Sequence, residues 1–334
     1  MVDTEHQHML RAVELAAGVR TTTSPNPWVG CVLVTATGEI VEGATQPPGG
    51  PHAEAVALAA ASERGLDTRG ATVYVTLEPC SHHGRTPPCA GALVAAGVAR
   101  VVVGIVDPDG QVGGRGLERL RSAGVEATTG VGADVVSEQL APYITHRSTG
   151  RPYVVLKLAA SLDGRTAAPD GTSRWITGGA ARTDAHQLRA ESDAILVGAN
   201  TVRADDPELT VRHVPGKDPL RVVLGRSPAS AKIRPALELD GELGDVLDEL
   251  GRRDVLQLLV EGGAAVAGDF HRAGLVDRYV VYLAPVLFGG DDARGLFSGA
   301  GAATMADVWR GRIASVRHLG DDIRVDLHPP IEVH

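Results

Sequence analysis

ATVYVTLEPCSHHGRTPPCAGALVAAG, residues 71–97, passes from an apolar β-branched run to a Pro-Cys step, a polar loop and a small-residue run. ATVYVTLE predicts a buried strand, so Pro79-Cys80 falls where the chain leaves its sheet. Pro87-Pro88-Cys89 then opens a helix, because proline is tolerated in a first turn whose N–H groups are unpaired anyway. Upstream, His52 opens a second helix, HAEAVALAAASERG, after the Gly- and Pro-rich stretch QPPGGP. The two element starts and the strand end carry one imidazole and two thiols. Held together, His52, Cys80 and Cys89 offer zinc three protein ligands and leave its fourth tetrahedral position to water. Zinc lowers the pKa of such a water to about 7. Glu54, two residues beyond His52, reaches that water without binding the metal. Helix N-termini favour the thiolate form that zinc requires, which suits Cys89 in particular.

The same set of groups serves the zinc deaminases that act on nucleobases. Where those enzymes commonly separate the two cysteines by two residues, eight intervene here, Ser81 to Pro88. TLEPCSHHGRTPPC, with Pro25-Asn26-Pro27-Trp28-Val29-Gly30 upstream, closely resembles the bifunctional deaminase/reductase family of bacterial riboflavin biosynthesis. The resemblance implies zinc on His52, Cys80 and Cys89, proton shuttling by Glu54, and contacts from Asn26, His82 and Arg85 to a pyrimidine or its phosphoribosyl arm. Taken singly, His82 and His83 read equally well as solvated loop histidines. The chain departs from the family at Thr45, where members commonly carry a histidine.

The chain of 334 residues suits two domains of ordinary size. A net charge of −9 and 3% aromatic content argue against a nucleic-acid surface, which needs a basic face and stacking rings. Of the three cysteines, Cys31 in VGCVLV reads as a small buried hydrophobe, and no disulfide framework is implied. MVDTEHQHMLRAVELAAG reads as an amphipathic helix with charges throughout rather than a signal peptide. No run approaches the roughly 20 apolar residues of a membrane span. The expected compartment is the cytoplasm.

Helices at 4–18, 52–64, 87–96 and 115–123 alternate with strands near 29–35, 38–43, 71–77, 100–105 and 125–129. Alternation of this kind predicts an α/β/α sandwich. A terminal helix in SEQLAPYITHRSTGRP leads to a connector, and the pattern restarts with the strand YVVLKLAAS at 153. The expected domains are therefore 1–148, a zinc-dependent pyrimidine deaminase, and 149–334.

In the second half, VLQLLVEGG (255–263) reads as a buried strand ending in paired glycines, with AAVAGDFHRAGL continuing as a helix. A strand, glycine turn and helix start can receive a cofactor phosphate on free N–H groups. Ser161-Leu162-Asp163-Gly164-Arg165, Arg174-Trp175-Ile176-Thr177, LRAESDAILVGANTVRADDPELTVR (188–212) and LVEGG resemble the reductase half of the same family. This half is similar in fold to dihydrofolate reductase. The resemblance implies an NADPH site at Ala159, Trp175, Thr201, Asp205 and the turn from Gly263, and a substrate face at Ser173, Arg189, Leu209, Arg212 and Glu261. Arg189 and Arg212 suit bidentate capture of a substrate phosphate, although Arg189, beside Glu191 and Asp193, also reads as a surface ion-pair residue. Trp175 reads as a cofactor wall or as plain core. The 226–254 segment is short against the family pattern, which predicts a reduced adenosine-binding region.

The expected function is hydrolytic deamination of 2,5-diamino-6-(5-phosphoribosylamino)pyrimidin-4(3H)-one with Zn2+, then NADPH-dependent reduction of the ribosyl group to ribityl. The resemblance also implies a homo-oligomer, dimer or tetramer. Two alternatives stay open on the residues alone. One is a polynucleotide deaminase with an RNA-binding second domain; the other is a deaminase whose second half only senses a cofactor or assembles.

Overall fold

The structure, a computed structural model, describes residues 4–81, 88–110 and 113–330. It divides into two compact units that meet between Gly150 and Arg151. Unit 1 runs α1 (Thr4–Thr23), β1 (Gly30–Val34), β2 (Ile40–Ala44), α2 (Ala53–Glu63), β3 (Thr72–Leu77), α3 (Cys89–Ala95), β4 (Arg100–Ile105), α4 (Arg115–Ser122), β5 (Glu126–Thr129), α5 (Ala133–Gln139) and α6 (Ala141–Thr149). The helix expected over 4–18 extends to Thr23. Two contacts distant in sequence secure its last turn: the Arg20 guanidinium lies 4.3 Å above the Trp28 ring and also donates to the Gln139 carbonyl.

The five strands order β2-β1-β3-β4-β5, antiparallel at β2-β1-β3 and parallel at β3-β4-β5. Two glycines show how tightly helices sit on this sheet. A Cβ on Gly30 would lie 1.8 Å from the Ala12 carbonyl oxygen of α1, and one on Gly43 2.2 Å from the Ala53 carbonyl oxygen of α2. Gly43 pairs with Cys31, the neighbour of Gly30, and successive residues of a strand face opposite sides. Helices α1 and α2 therefore cover opposite faces. Cys31 lies fully buried on the α2 side, as a small apolar residue should.

Unit 2 runs β6 (Tyr153–Ser161), β7 (Arg165–Ala167), α7 (Gly179–Ala190), β8 (Ala194–Gly198), α8 (Ala199–Asp205), β9 (Leu220–Leu224), β10 (Leu237–Leu239), α9 (Leu243–Gly251), β11 (Gln257–Val260), α10 (Ala264–Arg272), β12 (Arg278–Ala284), β13 (Arg294–Gly295), β14 (Arg312–Leu319) and β15 (Asp322–His328). Eight strands order β10-β9-β8-β11-β6-β12-β15-β14. The first six are parallel, and β15 and β14 add on antiparallel. Leu156, Leu196, Leu258, Leu250 and Phe270 form part of a dry core. Full burial of each such side chain is worth about 1.5–3 kcal/mol. Parallel strands share one carboxyl edge, where an open α/β sheet binds its ligands. The short 226–254 segment still supplies β10 and α9.

Candidate metal centre and reductase site

His52 is the N-cap of α2 and Cys89 the first residue of α3, while Cys80 follows β3 in the connector. Their ligand atoms all lie within 4.8 Å of one another. His52 Nδ1 stands 3.6 Å from Cys80 Sγ and 3.4 Å from Cys89 Sγ. Zinc at about 2.3 Å from sulfur and about 2.0–2.1 Å from nitrogen, bonded tetrahedrally, spaces nitrogen and sulfur about 3.6 Å apart. The donors thus already hold the spacing that the metal imposes, and their borderline-soft chemistry suits zinc. Glu54 sits in the first turn of α2 and is 4% exposed. Burial pushes its carboxyl up, opposed in part by hydrogen bonds to its own backbone and to Cys89.

The two thiols divide unequally, against the expectation that the helix start favours the Cys89 thiolate. Cys80 is lowered to about 4, first by its hydrogen bond with Cys89 and then by His52. The same bond and burial push Cys89 up. The Cys89 N–H donates to Cys80 Sγ at 3.3 Å, so the free amide at the start of α3 serves its neighbour's sulfur.

Other deaminase residues are placed less fully. Asn26 is half-buried in the turn before β1, its N–H on the Thr23 carbonyl. His82 and Arg85 lie outside the described residues. Thr45 is buried, and its hydroxyl lies within bonding distance of both the amide and the carbonyl of Val29, so it ties β2 to β1.

In unit 2 the expected residues gather at the carboxyl ends of the parallel strands. Gly263 caps α10 after β11, and Gly198 caps α8 after β8. A Cβ on Gly263 would lie 3.4 Å from Thr201 Oγ1, so the two helix starts adjoin. Their free N–H groups form a cradle suited to a dinucleotide's phosphates. Trp175 is 71% exposed, which excludes the core reading; Arg182 and Arg174 stand 4.8 and 5.8 Å from its ring. Arg174, the chain neighbour of Trp175, also donates to the carbonyl of Asp205, another expected cofactor residue. Ala159 lies near the end of β6, paired with Tyr282 of β12, and Ser173 is half-buried in the loop before α7.

Arg189 is not a surface ion-pair residue. Its Nε and Nη2 donate to the two oxygens of Glu261 at 2.7 and 3.0 Å, and Nη1 donates to the Thr210 carbonyl. The side chains are 13% and 8% exposed. The fork expected to take a phosphate is occupied by a carboxylate, and a phosphate would have to displace it. Although burial favours its neutral form, Arg189 and Lys157 hold Glu261 at about 2. Arg212 is half exposed and its side chain bonds Glu208 and Thr210 through Nη1 only, leaving Nε and Nη2 without a hydrogen bond among the described residues. Its backbone N–H donates to His186 Nδ1, a ring held at about 4 by burial and by Arg189. Leu209 is buried in the left-handed region, φ 54°.

The sequence reading missed Lys157, whose Nζ lies 3.7 Å from Glu261. Its signal was a charge inside the apolar strand YVVLKLAAS, two residues before Ala159 and hence on the same face.

A family model described as the cytidine and deoxycytidylate deaminase zinc-binding region matches residues 2–105, and one described as the RibD C-terminal domain matches residues 152–325. The riboflavin biosynthesis protein RibD of Escherichia coli K12 is 41% identical, over 97% of this chain and 99% of that protein. Its Mycobacterium tuberculosis H37Rv counterpart is 43% identical over 95% of each. Acinetobacter baumannii RibD superposes with a TM-score of 0.90 at 40% identity, covering 98% of this chain and 99% of that one. A Thermotoga maritima structure described as a diaminohydroxyphosphoribosylaminopyrimidine deaminase/5-amino-6-(5-phosphoribosylamino)uracil reductase gives 0.89 at 34% identity over 98% of this chain.

Proposed function

The chain belongs to the RibD family of bifunctional riboflavin-biosynthesis enzymes, and from that membership we propose how its residues divide the two reactions. It is a hydrolytic deaminase of 2,5-diamino-6-(5-phosphoribosylamino)pyrimidin-4(3H)-one in its N-terminal part. In its C-terminal part it is a reductase that turns the ribosyl group into ribityl. The observation that carries the reading is the His52, Cys80 and Cys89 cluster at zinc spacing with Glu54 buried beside it.

When bound, zinc supplies an acidified water as the nucleophile for deamination. His52, Cys80 and Cys89 would hold it, the two sulfurs as thiolates, so that loading releases thiol protons. Glu54 would carry the water's first proton to the ring nitrogen, then move the second, from the hydroxyl added to the ring carbon, to the amino group, which leaves as ammonia as the C–N bond breaks and the carbonyl forms. A carboxylate raised by burial is the stronger base and takes up such a proton the more readily. Asn26, His82 and Arg85 are assigned to the substrate on the family resemblance.

When bound, NADPH supplies the hydride for C1′ of the ribosyl group. The starts of α8 and α10, with Thr201, Asp205 and Gly263, hold its phosphates and ribose, and Ala159 and Trp175 flank its rings. Ser173, Leu209, Arg212 and the Arg189–Glu261 pair face the substrate. We assign the phosphate to Arg212, whose free nitrogens support this, and the proton for the opening ring oxygen to Lys157, oriented by Glu261.

The domains are assigned as 1–148 and 149–334, one reaction each; α6 itself runs to Thr149 and ends on Gly150, φ 72°. Among the described residues no helix is long and apolar enough to cross a membrane. Three unpaired cysteines support work in the reducing cytoplasm. The charge of −9 supports a small-molecule substrate rather than nucleic acid. Exposed Ile313 and Val316 on the edge strand β14 support a homo-oligomer. Mass spectrometry of the diaminopyrimidine phosphoriboside incubated with the protein, with and without NADPH, alongside metal analysis, tests the whole reading. Deamination without NADPH and ribityl product with it are expected. No mass change in either reaction would refute it.

A further inference from the structure

Glu78 is the last charged group before the metal ligand Cys80, and no catalytic step uses it. Its side chain is 4% exposed, yet no cation meets it among the described residues. Four backbone N–H groups do instead. Oε2 accepts from Asp107 and Gly114 at 3.2 and 2.9 Å, and Oε1 from Gly116 and Leu117 at 2.8 and 3.2 Å. Gly114 is the N-cap of α4, and Gly116 and Leu117 lie in its first turn. A strand end thus satisfies donors that a helix start leaves unpaired, and places a negative charge at the positive end of the helix.

Helix α4 also bears on the metal connector from both sides of Cys80. A Cβ on Gly116 would lie 2.0 Å from the Pro79 carbonyl oxygen, so α4 rests on that peptide. One turn later, Arg119 Nη1 donates to the Ser81 carbonyl at 3.3 Å. Cys80 itself is held by other elements: from α3, its carbonyl accepts the Ala90 N–H at 3.1 Å and its sulfur the Cys89 N–H, and His52 Nδ1 at the start of α2 stands 3.6 Å from the same sulfur. The placing of Pro79 and Ser81 relative to the sheet therefore passes through α4, and α4 is drawn in by the Glu78 carboxylate.

We propose that Glu78 is a positioning residue of the metal centre, which docks α4 against the Pro79-Cys80-Ser81 connector and so fixes the Cys80 thiolate relative to His52 and Cys89. The inference rests on the metal-centre reading above. An amide at position 78 keeps the shape, but turns an N–H2 group toward N–H donors and undocks the helix start.

The test compares wild-type protein, Glu78→Gln, Gly116→Ala and, as a control, Glu118→Gln on the exposed face of α4. Each is loaded with zinc, and metal release to a chromogenic chelator is timed. Each is also loaded with cobalt(II), whose visible spectrum reports the ligand geometry. Outer partners of metal ligands are typically worth 10–100-fold in metal affinity. Zinc release from Glu78→Gln should therefore quicken by about tenfold or more, with a changed cobalt spectrum. Gly116→Ala should move the same way with its carboxylate intact, because the methyl lifts α4 off Pro79. Glu118→Gln should match wild type, and NADPH oxidation with the deaminated intermediate should be unchanged in all four. Wild-type release rates and spectra in both Glu78→Gln and Gly116→Ala would overturn the proposal. So would a native rate in Gly116→Ala alongside an unfolded Glu78→Gln, since Glu78 would then serve stability only. Wild-type protein that takes up no zinc would instead sink the metal-centre reading.

Discussion

Arg189→Ala should destabilise unit 2 far more than a surface arginine would, and the structure gives the size. Glu261 is held at about 2, against an ordinary 4.5, with Arg189 as the larger of the two favourable charges. At about 1.4 kcal/mol per tenfold this corresponds to about 3 kcal/mol, most of it lost with the guanidinium. Breaking a buried ion pair by removing one partner typically costs about 3–5 kcal/mol, which agrees. The contribution is that of a depressed carboxyl. It is fully present above pH 4.5 and fades as pH falls from 4.5 to 2, so the gap between mutant and wild type should narrow across that window. The assay is urea unfolding at pH 7.5, with pulse proteolysis of residues 151–334 reporting unit 2 and residual deamination reporting unit 1. Reductase unfolding should shift by about 2–4 kcal/mol and deaminase unfolding not at all. Adding Glu261→Gln to Arg189→Ala should recover part of the loss, because the orphaned buried charge goes with it. A loss under about 0.5 kcal/mol, or a double mutant no more stable than the single, would refute the view that the pair is a buried, mutually dependent unit.

Glu54→Gln should keep its zinc and lose deamination by about a hundredfold or more, measured by metal content and ammonia release; an emptied site would make Glu54 a ligand. Cys89→Ser should lose metal and activity together, since a hydroxyl is a poor zinc ligand. Asp277, raised to about 6 by burial, accepts among the described residues the Val154 N–H at 2.7 Å and no other donor. A raised carboxyl stabilises the fold below its unfolded value of 3.8 and loses that contribution as pH rises through about 6. Asp277→Asn should therefore be more stable than wild type at pH 8 by up to about 3 kcal/mol in thermal unfolding, and no more stable at pH 4. A chain of residues 1–148 should still bind zinc and release ammonia from the substrate; a requirement for later residues would show the deaminase site to be shared.

The deaminase half was legible because its chemistry sits at element ends, which Pro, Gly and helix periodicity mark in the sequence. His52, Cys80 and Cys89 needed only the right order of strand and helix starts to be recognised together. The unequal standing of the two thiols was not legible, since it follows from the hydrogen bond between Cys80 and Cys89 and from the approach of His52, which only the fold brings together. In unit 2 the turn at Gly263, assigned above to NADPH, was readable as a strand, glycine and helix start. The Arg189–Glu261 pair was not, because it joins residues 72 positions apart, and the local acids Glu191 and Asp193 offered a nearer explanation. Lys157 hid for a related reason: a lone lysine in an apolar strand acquires its meaning only from what β11 brings alongside.

The seating of α2 on the sheet at Gly43 carries a further consequence. That helix delivers both the His52 imidazole and the Glu54 carboxylate proposed as the proton shuttle, and its contact face is built from alanine and glycine, Ala53 and Ala57 over Gly43. Side chains of this size have no rotamers to rearrange. The height of the helix above β2 is consequently a main-chain dimension, as insensitive to thermal side-chain motion as the sheet itself, and His52 and Glu54 inherit that fixity as a pair. The same arrangement removes any slack: an added methyl at Gly43 has nowhere to go, and it would raise ligand and shuttle together instead of disturbing one of them.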